Sequence, residues 1–255
     1  MDNWRTAIAT SDDTHIWIRG YDITALMTRA GFTETIFLLH QGRLPNAGER
    51  RLLDAILVAV ADHGAGAPSC AAARLAASGN RQSLSAAVAA GILAIGDEHG
   101  GAGTACMEGI AAGVELARKE SLSVAEAARR AVQDSVSGKK RLAGLGHRVH
   151  TTDPRTAVLF QMARECGVAG DGIAYMTALE AAAREKIKPL PINIDGALAA
   201  VLHDLKFPPA FGKFVFIIGR VAGITAEVAE EYAREKAMRI RIPVTYDGEP
   251  PREIR

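Results

Sequence analysis

Apolar residues recur along this chain at helical spacing, in bursts cut by glycine and proline. Ile36, Phe37, Leu38 and Leu39 predict a buried helix over 32–41, stopped by Gly42 and then Pro45. Leu52, Leu53, Ile56, Leu57 and Val60 form a broad stripe that predicts a helix over 49–63. The Ala-rich stretch 70–78 reads as helical, and 83–95 as a helix apolar on all sides, hence buried. Gly100-Gly101-Ala102-Gly103 breaks the pattern. Amphipathic helices follow over 107–119 and 124–137, the second with Ser121 and Ser123 as candidate N-caps.

Further helices are expected over 156–165, 172–186, 195–204, 211–222 and 226–239, the last strongly charged. Residues 138–154 form a glycine-rich, basic loop carrying Lys139, Lys140, Arg141 and Arg148. Pro189, Pro191 and Asn193 mark a tight connection, and 242–255 reads as extended. Only 14–23, rich in β-branched and aromatic residues and turned at Gly20, reads as a short strand or extended arm. The expectation is an all-α chain of about ten helices with almost no strand.

Composition sharpens this picture. With 255 residues there is room for one large domain, or a large and a small one sharing a core. Abundant Ala and Leu with 5% aromatics favour packed helices over sheets. A formal net charge of +1 offers no bulk attraction to nucleic acid or to a membrane surface. Cys70, Cys106 and Cys166 are scattered and odd in number, giving neither a metal-ligand spacing nor a disulfide framework. A reducing, cytoplasmic setting follows as the expectation. The start, Met1-Asp2-Asn3-Trp4-Arg5, has no apolar segment behind it, and no continuous apolar run is long enough for a transmembrane helix.

Candidate chemistry gathers at three histidines beside glycines: Asp62-His63-Gly64, His99-Gly100-Gly101 and Gly146-His147. Glycine lets a ligand come close, and imidazole donates a hydrogen bond to a carbonyl or oxyanion. Each such histidine alone reads as a helix-end residue; three together point to a site. Asp195, flanked by Ile192 and Ile194, is a candidate for a desolvated, more basic carboxylate, and equally for the N-cap of the next helix. Arg155, Arg220 and Arg241 sit at element boundaries or on an apolar helix. A buried Arg220 requires an anion, either a structural carboxylate or a bound one. His147 and His150 are three apart but lack a third ligand at matching spacing, so no metal is expected. Dinucleotide, Walker and nucleophile-elbow patterns do not occur in the chain. His15, His40 and His203 read as surface or packing residues.

In order, Arg19-Gly20-Tyr21, Leu38 to Pro45, Asp62-His63-Gly64, His99 to Ala102, Gly144-Leu145-Gly146-His147 with Asp153-Pro154-Arg155, Asn193-Ile194-Asp195 and Gly219-Arg220 resemble the citrate synthase superfamily. The resemblance spans nearly the whole chain. Stretches 89–97, 144–149 and 193–196 look closer to the citryl-CoA lyase branch and to the lyase module of ATP-citrate lyase. Ala71 departs from relatives that carry a helix histidine there.

The resemblance implies roles. His99 holds the acetyl-CoA thioester carbonyl and stabilises its enol. Asp195 exchanges the acetyl proton. His147 polarises the oxaloacetate ketone, and His63 touches it. Arg155 and Arg220 clamp carboxylates, and a third arginine comes from a neighbouring subunit. That third position falls between Arg239 and Arg241, and Arg241 is favoured because a proline follows. Gly144, Leu145, Gly146 and Asn193 contact CoA. The resemblance further implies a larger helical domain of 1–103 and 207–255 with a smaller one of 104–206, a homodimer or higher homo-oligomer, and no permanently bound cofactor. The expected reaction is cleavage of citryl-CoA to acetyl-CoA and oxaloacetate. Condensation of the citrate or 2-methylcitrate synthase type is the alternative, and a non-catalytic CoA- or carboxylate-binding relative the third reading.

Overall fold

The computed structural model describes residues 3–138, 141–146 and 153–253. A small antiparallel sheet opens the chain: β1 (Ala9–Ser11), β2 (Ile16–Ile18) and β3 (Tyr21–Asp22), in that spatial order. The expected extended arm is therefore real, and β1 adds a strand the sequence pattern did not indicate. Arg19 ties the sheet to the helices: its Nε and Nη2 donate to the Leu39 carbonyl at 3.1 and 2.7 Å.

Eleven helices follow among the described residues: α1 (Ile23–Arg29), α2 (Phe32–Gln41), α3 (Ala47–Ala61), α4 (Pro68–Gly79), α5 (Leu84–Leu93), α6 (Ala102–Lys119), α7 (Val124–Val136), α8 (Pro154–Glu165), α9 (Asp171–Lys186), α10 (Ile194–Asp204) and α11 (Phe211–Arg234). The fold is all-α, as expected. Local signals explain most ends. Asn46 and Ser123 cap α3 and α7 as capping boxes with Glu49 and Glu126. Gly42 closes α2 in the left-handed conformation. Short α1 escaped the periodicity because only Leu26 of it is buried.

Two expectations about glycine need correction. Residues 211–222 and 226–239 do not form two helices; α11 runs unbroken through Gly223 to Arg234. A side chain at Gly223 would strike the Ala61 carbonyl, and one at Gly219 would come within 3.0 Å of the Leu57 carbonyl. These glycines bring α11 against the end of α3, which offsets their helix-interior cost. Likewise α6 starts at Ala102, with Gly103 inside it, where a side chain would meet the Gly212 carbonyl at 3.0 Å.

The principal core joins α2, α3 and the start of α11 to α6–α10, through Phe37, Leu52, Ile56, Met107, Ile110, Leu159, Met176, Leu202 and Phe211. A smaller core of Ala73, Ala77, Ala87, Ile95, Ile224 and Val228 lies where α4, α5 and the second half of α11 meet. No helix among the described residues is long and apolar enough to cross a membrane.

Candidate functional site

The end of α3, the 98–100 turn, the start of α8, the start of α10 and the middle of α11 converge on one cavity of about 210 Å³. His63, His99, Arg155, Asn193, Asp195 and Arg220 all line it, with Phe216. A larger apolar groove of about 570 Å³ lies between α3 and α8, but its polar residues are only Arg51, Asp54 and the shared Arg155. Convergent acid, imidazole and guanidinium groups, rather than volume, distinguish the first.

His99 sits in a tight turn closed by reciprocal backbone bonds between Gly96 and His99, 3.0 and 3.1 Å long. Its Nε2 accepts from the Ser69 backbone N–H at 3.3 Å and lies 2.9 Å from the Ser69 hydroxyl. Because Nε2 accepts, the proton of the neutral ring belongs on Nδ1. Burial, then Arg220, then His63 hold the His99 pKa below the usual imidazole value. The ring is therefore a neutral donor at neutral pH. Phe216 packs edge-on to it at 5.6 Å.

Arg220 is 3% exposed, in the apolar part of α11. Its Nε donates to the Val60 carbonyl at 2.9 Å, Nη1 reaches the Ser69 hydroxyl at 3.4 Å, and the guanidinium lies 4.8 Å from the Phe216 ring centre. It has no carboxylate partner among the described residues. A buried, uncompensated guanidinium facing a cavity is the arrangement that a bound carboxylate completes.

Asp195 stands in the first turn of α10. It is not the N-cap: Asn193 takes that place and accepts from the Gly196 N–H at 3.1 Å. The carboxylate of Asp195 is thereby left free to face the cavity. Burial raises its pKa, with Arg155 opposing and Asp153 reinforcing. Helix N-termini ordinarily stabilise an anion, and burial of Asp195 works against that.

Arg155 lines the same cavity, but its Nε and Nη2 bond both oxygens of the buried Asp153 at 3.0 and 2.8 Å, and Nη1 reaches the Ala59 carbonyl at 3.3 Å. Its charge is already shared with a carboxylate, which separates it from Arg220.

Gly144, Leu145 and Gly146 lie beside the cavity rather than in its wall. Leu145 bridges to Ile192, Gly146 donates to the Pro191 carbonyl at 2.7 Å, and Asn193 donates from its backbone to Gly144 at 3.0 Å and from Nδ2 to Gly146 at 2.9 Å. Gly144 and Gly146 both have positive φ. Asn193 thus caps α10 with one side-chain atom and holds the 144–146 loop with the other. His147, together with Lys139, Lys140, Arg148 and His150, lies outside the described residues.

Arg241 is not in the cavity. It is exposed on the segment after α11 and has no partner among the described residues, whereas Arg239 makes two bonds to Glu231, at 2.9 and 2.5 Å. Ser69 and Phe216, which contact His99 and Arg220, were passed over in the sequence, where Phe216, one turn before Arg220, carried a signal in its helical spacing. Asp153, quoted there only as part of Asp153-Pro154-Arg155, is the partner of Arg155.

Asp62, Cys70 and Glu227 bring possible ligand atoms within 4.8 Å of one another. Arg74 already bonds Glu227 at 2.5 Å, and burial, followed by Asp62, raises the Cys70 thiol pKa. Both favour a hydrogen-bonded cluster over a metal site. Two of the remaining histidines pack against aromatic rings: His40 lies 4.7 Å from Phe211 and His15 stacks 5.1 Å from Trp17.

Residues 47–241 match the family model of the citrate synthase C-terminal domain. A citrate/2-methylcitrate synthase of Bacillus subtilis is 29% identical over 216 residues, 83% of this chain and 55% of that protein. The chain thus spans about half the length of the curated relatives it matches. The structure of citryl-CoA lyase from Hydrogenobacter thermophilus superposes with a TM-score of 0.90 at 38% identity, covering 98% of this chain and 97% of that one. ATP citrate lyase from Methanothrix soehngenii, solved with citrate and coenzyme A, shares the fold at TM-score 0.75 and 19% identity, over 97% of this chain and 42% of that one.

Proposed function

The chain belongs to the citrate synthase family, and on that premise we propose that it cleaves citryl-CoA to acetyl-CoA and oxaloacetate. One observation carries the reading: His99, Asp195 and the uncompensated Arg220 face a single cavity. Likeness over the full length of a citryl-CoA lyase supports cleavage as the direction.

In this reading Arg220 receives a carboxylate of the citryl group, and Arg155 helps hold a second by sharing its fork with Asp153. The citryl hydroxyl gives its proton to a base, for which the family resemblance offers His147, with His63 beside it. The carbon–carbon bond breaks, the hydroxyl carbon becomes the ketone of oxaloacetate, and the electron pair passes into the thioester enolate. The Nδ1–H of His99 donates to the enolate oxygen; one such donor is worth about 3–4 kcal/mol to a developing oxyanion. Asp195, whose raised pKa favours the acid form, delivers its proton to the acetyl carbon. The coenzyme A thioester is substrate, and Gly144, Leu145, Gly146 and Asn193 form its contact loop.

The division into 1–103 with 207–255 and 104–206 belongs to the same reading. His63, His99 and Arg220 come from the first, Arg155, Asn193 and Asp195 from the second, and closure between them excludes water. Arg241 completes the site of a neighbouring subunit in a homo-oligomer. Arg239 is committed to Glu231, which leaves Arg241 as the available cation.

The curated relatives named as synthases favour a second reading, condensation of an acyl-CoA with oxaloacetate. Two assays separate them. Oxaloacetate released from citryl-CoA, with little citrate formed from acetyl-CoA and oxaloacetate, supports the lyase. Free CoA and citrate accumulating from the reverse mixture make it a synthase. No turnover in either assay overturns both readings.

A further inference from the structure

Outside the cleft, the chain leading to Arg241 is held by a compact group of charges. Glu231, near the end of α11, is fully buried. It accepts from Arg239 Nε and Nη2 at 2.9 and 2.5 Å, and Arg74 Nη2 of α4 lies 2.9 Å from its carboxylate. Arg74 is itself buried, bonds Glu227 at 2.5 Å and approaches Glu230 at 3.5 Å. Arg239 also pairs with Glu235 at 3.0 Å. Backbone contacts reinforce the arrangement: Arg81 donates to the Glu231 carbonyl at 2.9 Å and to the Glu235 carbonyl, and the Met238 N–H donates to the Ser78 carbonyl at 2.9 Å. Met238 takes a left-handed φ of 56°, rare for such a residue, and turns the chain back over the end of α4.

Burial works against the Glu231 carboxylate, yet the two arginines keep its pKa below the usual value. Such clusters are poor devices for stability, because desolvation cancels much of the attraction and apolar replacements often do as well. What they provide is a fixed geometry. The fixed residue is Arg239, and two positions later comes Arg241, exposed and unpaired among the described residues. Released from this group, residues 236–241 have no regular secondary structure to define where Arg241 points.

We propose that Arg74, Glu231 and Arg239 form a clamp that aims Arg241, making them positioning residues for carboxylate binding. The inference rests on the reading that Arg241 completes a neighbouring site. The clamp joins the end of α4, whose first turn carries the His99 partner Ser69, to the end of α11, whose middle carries Arg220. One rigid unit thus orients all three.

The test is a double-mutant cycle in the intact oligomer with citryl-CoA as substrate, using Arg239→Gln, Arg241→Ala and the pair. Arg239→Gln is expected to raise KM about tenfold with kcat within about twofold, and the pair to be no worse than Arg241→Ala alone. Arg239→Lys, which keeps one bond to Glu231, should fall between, and it carries the test if Arg239→Gln does not assemble. A raised KM in Arg241→Ala with both Arg239 variants unchanged overturns the clamp and leaves the Arg241 role standing. Additive effects likewise overturn it, since Arg239 would then act independently of Arg241. An unchanged KM in Arg241→Ala overturns the shared-site reading itself.

Discussion

Ser69 holds the Nε2 of His99 from two directions, its backbone N–H at 3.3 Å and its hydroxyl at 2.9 Å. The same hydroxyl lies 3.4 Å from Arg220, so one buried residue links the His99 imidazole to the Arg220 guanidinium. Ser69→Ala removes the hydroxyl and keeps the N–H. Loss of one such bond is worth about 1 kcal/mol, so kcat should fall by about five- to tenfold. Steady-state kinetics on citryl-CoA decide it; an unchanged kcat means the N–H alone sets the tautomer.

Asp195 makes a prediction about stability and pH. Its folded pKa is raised above the ordinary 3.8, so the charged form opposes folding. That penalty is absent below 3.8, where the carboxyl is protonated folded or unfolded, and grows as pH rises through the folded value. Asp195→Asn should therefore melt higher than the parent at pH 7, lose that advantage near pH 3.8, and lose turnover while still binding CoA esters. Melting curves at the two pH values test the sign; a lower melting temperature at pH 7 would contradict the desolvated acid.

The imidazole of His99 behaves oppositely. Its folded pKa is depressed below 6.5, so it contributes stability above 6.5 that is lost as pH falls through the folded value. Turnover that requires a neutral His99 should persist to below pH 6.5 on the acid side. A kcat profile that breaks on the acid side above that value, with the break abolished in His99→Gln, would show the ring to be charged instead.

Arg220 should matter to ligand far more than to folding. Arg220→Met removes a buried charge that lacks a carboxylate partner, offsetting the loss of its bonds to Val60 and Ser69. Oxaloacetate affinity is expected to fall by about 100-fold or more. Thermal shift reads both effects: oxaloacetate should raise the melting temperature of the parent and leave the variant unmoved. Equal shifts in the two proteins would remove Arg220 from the site.

Gly196 meets the carbonyl oxygen of Gly144 so closely that no side chain fits between them. Gly196→Ala should lift the 144–146 loop from α10 and raise KM for the CoA ester, with binding of free oxaloacetate little changed. Comparable losses for both ligands, measured by titration calorimetry, would mean that α10 itself had moved.

Much of the molecule was legible before any coordinates. Periodicity located ten of the eleven helices among the described residues, although residues 211–239 were divided into two. The glycine-flanked histidines and isolated arginines, in their order along the chain, identified the family. Of those nominated, His63, His99, Arg155 and Arg220 line one cavity, Arg241 does not, and His147 lies outside the described residues. Such features are encoded in short windows: helical spacing, capping chemistry and conformational freedom at a turn are properties of neighbours in sequence.

What the tertiary structure decided depended on encounters between distant segments. Gly103 and Gly223 look like helix breakers until Gly212 and Ala61 arrive against them. Whether Asp195 caps its helix or faces the cavity turned on Asn193 reaching both Gly196 and Gly146. Arg155 has its carboxylate, Asp153, two places before it in the sequence, whereas among the described residues Arg220 meets the Val60 carbonyl, 160 residues away, the Ser69 hydroxyl and the Phe216 ring. Charge and hydrogen-bond partnership are settled by which groups share a desolvated space. That sharing appears only when the chain has closed on itself.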